Sequence, residues 1–114
     1  MIASAYSVRV RCDSARTADE YIAWLRDGHV QEVVDCGAVA AAIVRLDPDT
    51  TAAALGFGVE VRYTFPDRAA MDAYLRDHAP RLRAIGTARW GSVPGIAFER
   101  TTGAVVETYV PTRR

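Results

Sequence analysis

Histidine takes and returns a proton near neutral pH, because its ordinary pKa of about 6.5 lies within the working range. The 114-residue chain carries two, His29 and His78. Each falls on the apolar stripe of an expected amphipathic helix. Ala18, Ile22, Leu25, His29 and Val33 recur at helical spacing in one segment, and Met71, Leu75, His78, Leu82 and Ile85 in another. Both imidazoles are therefore expected to point into the space between helices and sheet. Two readings stand: packing histidines satisfied by a backbone carbonyl or a water, or proton-transfer groups in a pocket. His29 and His78 are the candidate catalytic residues.

Each histidine follows a near repeat, "AWLRD" at Ala23 to Asp27 and "AYLRD" at Ala73 to Asp77. Each copy sets an aromatic ring beside a leucine on a helix that must cover a sheet, with Arg26, Asp27, Arg76 and Asp77 toward solvent. The symmetry of two similar half-domains accounts for such a repeat without any chemistry. If there is a pocket, Trp24 and Tyr74 with Tyr63 would shape its apolar wall. In "HAPRLRAIGTARWG", Arg81, Arg83 and Arg89 gather near Trp90, a set able to hold an acidic ligand or to stay solvated and cap a helix end. The candidate ligand-binding residues are Trp24, Tyr63, Tyr74, Arg81 and Trp90.

Other chemistries find little purchase. Catalytic zinc wants three protein ligands, and no H-x-x-x-H or H-E-x-x-H run occurs, so no metal is expected. No G-x-G-x-x-G or G-x-x-x-x-G-K loop is present to cradle phosphates, and no nucleotide or other cofactor is expected. Cys12 and Cys36 have neither a disulfide framework nor zinc spacing, and Cys12 falls on the apolar face of a strand, where a thiol is normally inert.

The elements that must position these residues follow from periodicity. "AYSVRVRC" alternates, with Tyr6, Val8, Val10 and Cys12 on one face and Ser7, Arg9 and Arg11 on the other. Thr17, with Glu20 three residues on, is expected to cap a helix running to about Val34, and Gly37 to end it. "AVAAAIVRL", Ala38 to Leu46, reads as a second strand that Pro48 breaks. "FGVEVRYTF" alternates most clearly, with Phe57, Val59, Val61, Tyr63 and Phe65 sharing one face. Asp67 should cap the next helix, which Pro80 breaks near His78 and which Gly86 ends. A last strand starts near Ile96, and "AVVETYV" either continues it past a bulge at Thr102 and Gly103 or returns as a hairpin. "TTAAALG", Thr50 to Gly56, reads as a loop tract. The order is β-α-β-β-α-β, the ferredoxin-like α+β pattern, with an antiparallel sheet and helices on one face.

The length suits one domain over residues 1–114, and half the residues are apolar, enough for a core. Fourteen basic and fourteen acidic side chains cancel. That removes the broad positive field that nucleic acid or an anionic membrane would require, so neither is an expected partner. No apolar run is long enough to span a bilayer and the first residues lack a secretory pattern, so the expected location is cytoplasmic. Arg9, Arg11, Glu60, Arg62 and Glu99 fall on the strand face opposite the helices. An RNA-recognition domain shares this topology but puts stacking aromatics on that face, whereas here they point the other way. The alternating charges suit cross-strand salt bridges, in water or within a two-fold interface.

The segments "YIAWLRDGHVQEVVDCG" at Tyr21 to Gly37, "YLRDHAPRLRAIG" at Tyr74 to Gly86 and "ARWG" at Ala88 to Gly91 carry a family likeness. With its matching strands, the chain resembles a family of small bacterial proteins of unknown function in the dimeric α+β barrel superfamily. The resemblance implies a homodimer with two sheets packed face to face and helices outside. It also implies, as in superfamily members that are cofactor-independent monooxygenases, polyketide cyclases and isomerases, a small organic substrate between sheet and helices. The alternative is a non-catalytic ligand-binding or regulatory dimer.

Overall fold

The structure, a computed structural model, describes residues 2–48 and 56–112. Apart from Gly56, the tract expected as a loop at Thr50 to Gly56 lies outside the described residues. Strand β1 (Ser4–Cys12) leads into helix α1 (Ala15–Trp24), a kink (Leu25–His29) and helix α2 (Val30–Asp35). Strands β2 (Ala40–Arg45) and β3 (Phe57–Phe65) follow, then helices α3 (Arg68–Asp77) and α4 (Ala79–Trp90), and strand β4 (Ile96–Ala104). The strands form one antiparallel sheet in the order β2-β3-β1-β4. This is the ferredoxin-like α+β arrangement, with each expected helix divided in two.

The alternation read in β1 and β3 is the alternation of burial. Tyr6, Val10, Cys12, Val59, Val61, Tyr63 and Phe65 are buried beneath the helices, while Arg9, Arg11 and Arg62 are exposed on the far face. From the helices, Ala18, Tyr21, Leu25, Met71, Tyr74 and Leu82 close the core.

Several local expectations are corrected. The cap of α1 is Ser14, whose hydroxyl accepts from the Thr17 N–H at 3.1 Å, so the helix starts earlier than a Thr17 cap allows. Glu20 is not a capping partner but pairs with Arg16 at 3.2 Å. Asp67 caps α3 as expected, accepting from the Ala70 N–H at 2.8 Å. The second helix breaks at His78 as Pro80 requires, since proline in the first turn of α4 has no N–H to leave unbonded. It does not end at Gly86. It runs on to Trp90, which is buried, and burying a tryptophan outweighs the roughly 1 kcal/mol cost of a helical glycine. Ile85, placed on the apolar stripe, is exposed. Strand β4 pairs with β1 residue for residue from Ile96 to Ala104, so there is neither a bulge at Thr102 and Gly103 nor a return hairpin.

Candidate functional site

Side chains five residues apart on an α-helix stand roughly 140° apart around its axis. Trp24 and His29 have that separation, yet their rings stack at 4.2 Å and 29°. A kink between two helices is the cause. Asp27 and Gly28 leave helical geometry, Gly28 takes a φ of 103° that residues with a Cβ rarely adopt, and the Val30 N–H donates to the Leu25 carbonyl, five residues back. The kink brings His29 back over Trp24. Burial lowers the His29 pKa below its ordinary value, with the nearby charge of Glu32 opposing as the smaller effect. At neutral pH the imidazole is uncharged, with one nitrogen free to accept a proton.

His29 lines a cavity of about 140 Å³ between sheet and helices, on the scale of one that takes a single benzene-sized ring. Tyr6, Val8, Val61 and Tyr63 form its floor, and Phe98 and Arg100 extend the floor along β4. Tyr21, Trp24 and Leu25 wall one side; Tyr74, Leu82, Arg83 and Trp90 wall the other. Tyr6 and Tyr63 stack at 5.8 Å, and Tyr21 meets Trp90 edge-on at 5.3 Å. Burial raises the phenol pKa values of Tyr21, Tyr63 and Tyr74, so these hydroxyls stay protonated.

Among the described residues no aspartate or glutamate lines the cavity. Arg83 donates to the Tyr6 hydroxyl at 3.3 Å, and the Arg100 guanidinium lies 5.8 Å from the Phe98 ring centre. Among the described residues neither arginine has a carboxylate partner. Trp90 is 1% exposed, and its buried Nε1–H has no hydrogen-bond partner. Among the described residues no group of three or more His, Cys, Asp and Glu is placed to hold a metal ion.

Residues 3–102 match the family described as a domain of unknown function, DUF4286. The chain belongs to this family. No curated protein matches its sequence. Among solved structures it is similar to a monooxygenase from the gene ActVA-Orf6 of Streptomyces coelicolor, in complex with nanaomycin D. That match has 16% identity and a TM-score of 0.71, covering 97% of this chain and 94% of that one. It is also similar to a dimeric ferredoxin-like protein from an uncultured marine organism, at 15% identity and TM-score 0.65, covering 96% and 100%. HapK from Hahella chejuensis matches at 19% identity and TM-score 0.61, covering 96% and 99%. At these identities the likeness is one of fold.

Of the candidate residues, this DUF4286 domain brings His29, Trp24, Tyr63, Tyr74 and Trp90 together around the cavity. His78 and Arg81 are not among the lining residues. His78 sits at the α3–α4 break, 6.4 Å from the Tyr74 ring, because the break takes it off the stripe. Arg81 pairs with Glu32 at 3.1 Å and ties α4 to α2. The repeat is not repeated in burial: Leu25 goes inside in the first copy, and Tyr74 in the second. Tyr6, Tyr21, Phe98 and Arg100 were not singled out for the site. Ile96, Phe98 and Arg100 do alternate in sequence, a signal that sets Arg100 on the face of Phe98. Cys12 is fully buried and burial raises its pKa, which keeps the thiol protonated.

Among the described residues no helix covers the opposite sheet face. There Glu60 is only 5% exposed, held by Arg9 through two hydrogen bonds at 3.0 and 2.8 Å and by Arg62. No helix of the described residues is long and apolar enough to cross a membrane.

Proposed function

We propose that the chain forms a single-domain subunit of a cytoplasmic homodimer that acts, without a cofactor, on a small organic substrate in the cavity between sheet and helices. The chemistry is of the monooxygenase, cyclase or isomerase type. The observation that carries this reading is the His29 imidazole, its pKa lowered by burial, on the wall of a cavity lined by aromatic rings, aliphatic side chains and hydrogen-bond donors. A base held unprotonated at neutral pH, beside protonated phenols that donate to a developing oxyanion, suits removal of a proton from an acidic C–H or O–H. Trp24, Tyr63, Tyr74 and Trp90 bound the substrate. His78 and Arg81 belong to the proposal only through the helix break and the ion pair that fix the α4 wall.

Similarity to a dimeric ferredoxin-like protein and the sheet face left without helices support the homodimer. Light scattering at micromolar concentration tests it; a monomeric mass removes it. The unpaired cysteines suit a reducing compartment. A second reading, non-catalytic ligand binding, is favoured by one observation: His29 is oriented by its stack on Trp24, with no hydrogen bond to a carboxylate among the described residues.

A thermal-shift screen of small aromatic compounds supplies a ligand, and His29→Gln then separates the readings. Glutamine keeps a hydrogen-bonding group but cannot exchange a proton near neutral pH. Loss of turnover with the melting temperature retained supports the enzyme. Unchanged turnover in His29→Gln removes the catalytic assignment, and ligand binding with no turnover in the parent establishes the second reading.

A further inference from the structure

The cavity has a pronounced chemical bias in a chain whose formal charge is zero. The charged residues among its described lining, Arg83 and Arg100, are both cationic, and no aspartate or glutamate is among the described lining residues. They reach the cavity from opposite layers, Arg83 from α4 and Arg100 from β4, with the phenol of Tyr74 close enough to sense the charge of both. Trp90, 1% exposed, adds an indole ring to the lining.

We propose that the cavity selects a planar aromatic anion, its charged oxygen received by Arg83 and Arg100 and its ring held against Trp90. The inference rests on the reading of this cavity as a ligand site and names the class of ligand. The surrounding rings fix planarity: Tyr21, Trp24, Tyr63 and Trp90 offer faces and edges to a flat guest. The volume suits one ring inside, and the arginines, both exposed, receive the acidic group. Guanidinium groups without an acid partner are free to form charge-assisted hydrogen bonds to it.

The test uses salicylate and its neutral amide, salicylamide, as probes. They share the ring and the hydroxyl and differ in charge. The chain has two tryptophans, so the indole N–H region of a proton–nitrogen correlation spectrum holds two side-chain signals, which Trp24→Phe assigns. Salicylate is expected to shift the Trp90 signal saturably, binding at least about tenfold more tightly than salicylamide, as loss of a charge-assisted hydrogen bond implies. In Arg83→Gln and Arg100→Gln the preference should shrink while the dispersion of the backbone signals, read in the same spectra, shows an intact fold. Equal affinity for the two probes overturns the inference and leaves the cavity as a ligand site. A preference retained in both arginine variants overturns it too, as does the absence of any saturable shift with salicylate up to about 10 mM. Selectivity is read in binding alone, so binding of salicylate without turnover keeps this inference and removes only the enzymatic reading.

Discussion

Val61 and Arg62 are neighbours on opposite faces of β3, and their substitution by alanine separates what the two faces do. Val61 is 1% exposed and is paired with Val8 on one side and Ile43 on the other. Val61→Ala removes two methyl groups, and at about 0.8 kcal/mol per buried carbon the transfer loss is about 1.6 kcal/mol. The backbone on both sides is held in the sheet, so the space cannot fully close, and the added cavity brings the total to about 2–3 kcal/mol. The Arg62 side chain is 59% exposed. Without it, Glu60 keeps both hydrogen bonds from Arg9. Arg62→Ala is therefore expected to cost less than about 1 kcal/mol. Urea denaturation of the three proteins should give parallel slopes, with the Val61→Ala midpoint lowered by about 1 M or more and that of Arg62→Ala hardly moved. Equal shifts or the reverse order would refute the assignment of faces on β3, and with it the floor of the cavity.

Three further outcomes are expected. Gly28→Ala meets no atom within 4 Å, so its cost is backbone strain alone, about 1–2 kcal/mol by thermal or chemical melts; a neutral effect would contradict the positive φ that makes the kink. The hydrogen bonds from Arg62 and Arg9 hold the Glu60 pKa below its ordinary value of 4.5. Glu60 thus stabilises the fold above that value, and the contribution is lost as pH falls through the lower folded pKa. The stability difference between parent and Glu60→Gln should be constant from about pH 6 to 8 and shrink below about pH 4. The folded pKa of His29 is lowered from 6.5, so its contribution is present above that value and lost as pH falls. His29→Gln should accordingly lose less stability than the parent between about pH 7 and 5, measured by denaturation at each pH.

The sequence by itself determined the strands and the sheet faces, because alternation is a local property: once β1 and β3 are extended, each side chain's face follows from its parity. The Asp67 cap and the break at His78 are local too, depending on one carboxylate near a free N–H and on one missing proline N–H. Tyr63 and Tyr74 were legible as core rings because each falls on the apolar face of its own strand or helix. What only the tertiary structure decided depends on contacts far apart in the chain. The kink at Asp27 and Gly28 shifts His29 onto Trp24, while the second break leaves His78 outside the cavity lining. That asymmetry cannot be read from two nearly identical pentapeptides, since the docking of each helix selects which of its two apolar residues goes inside. Gly86 looked like a helix end until Trp90 found its burial site. Arg100 joins Arg83 only through the register of β4 on β1, which sets Arg100 opposite Val8 and so on the cavity side of the sheet. The unpartnered Trp90 donor exists only in three dimensions, because whether a buried N–H finds an acceptor is settled by every group packed around it.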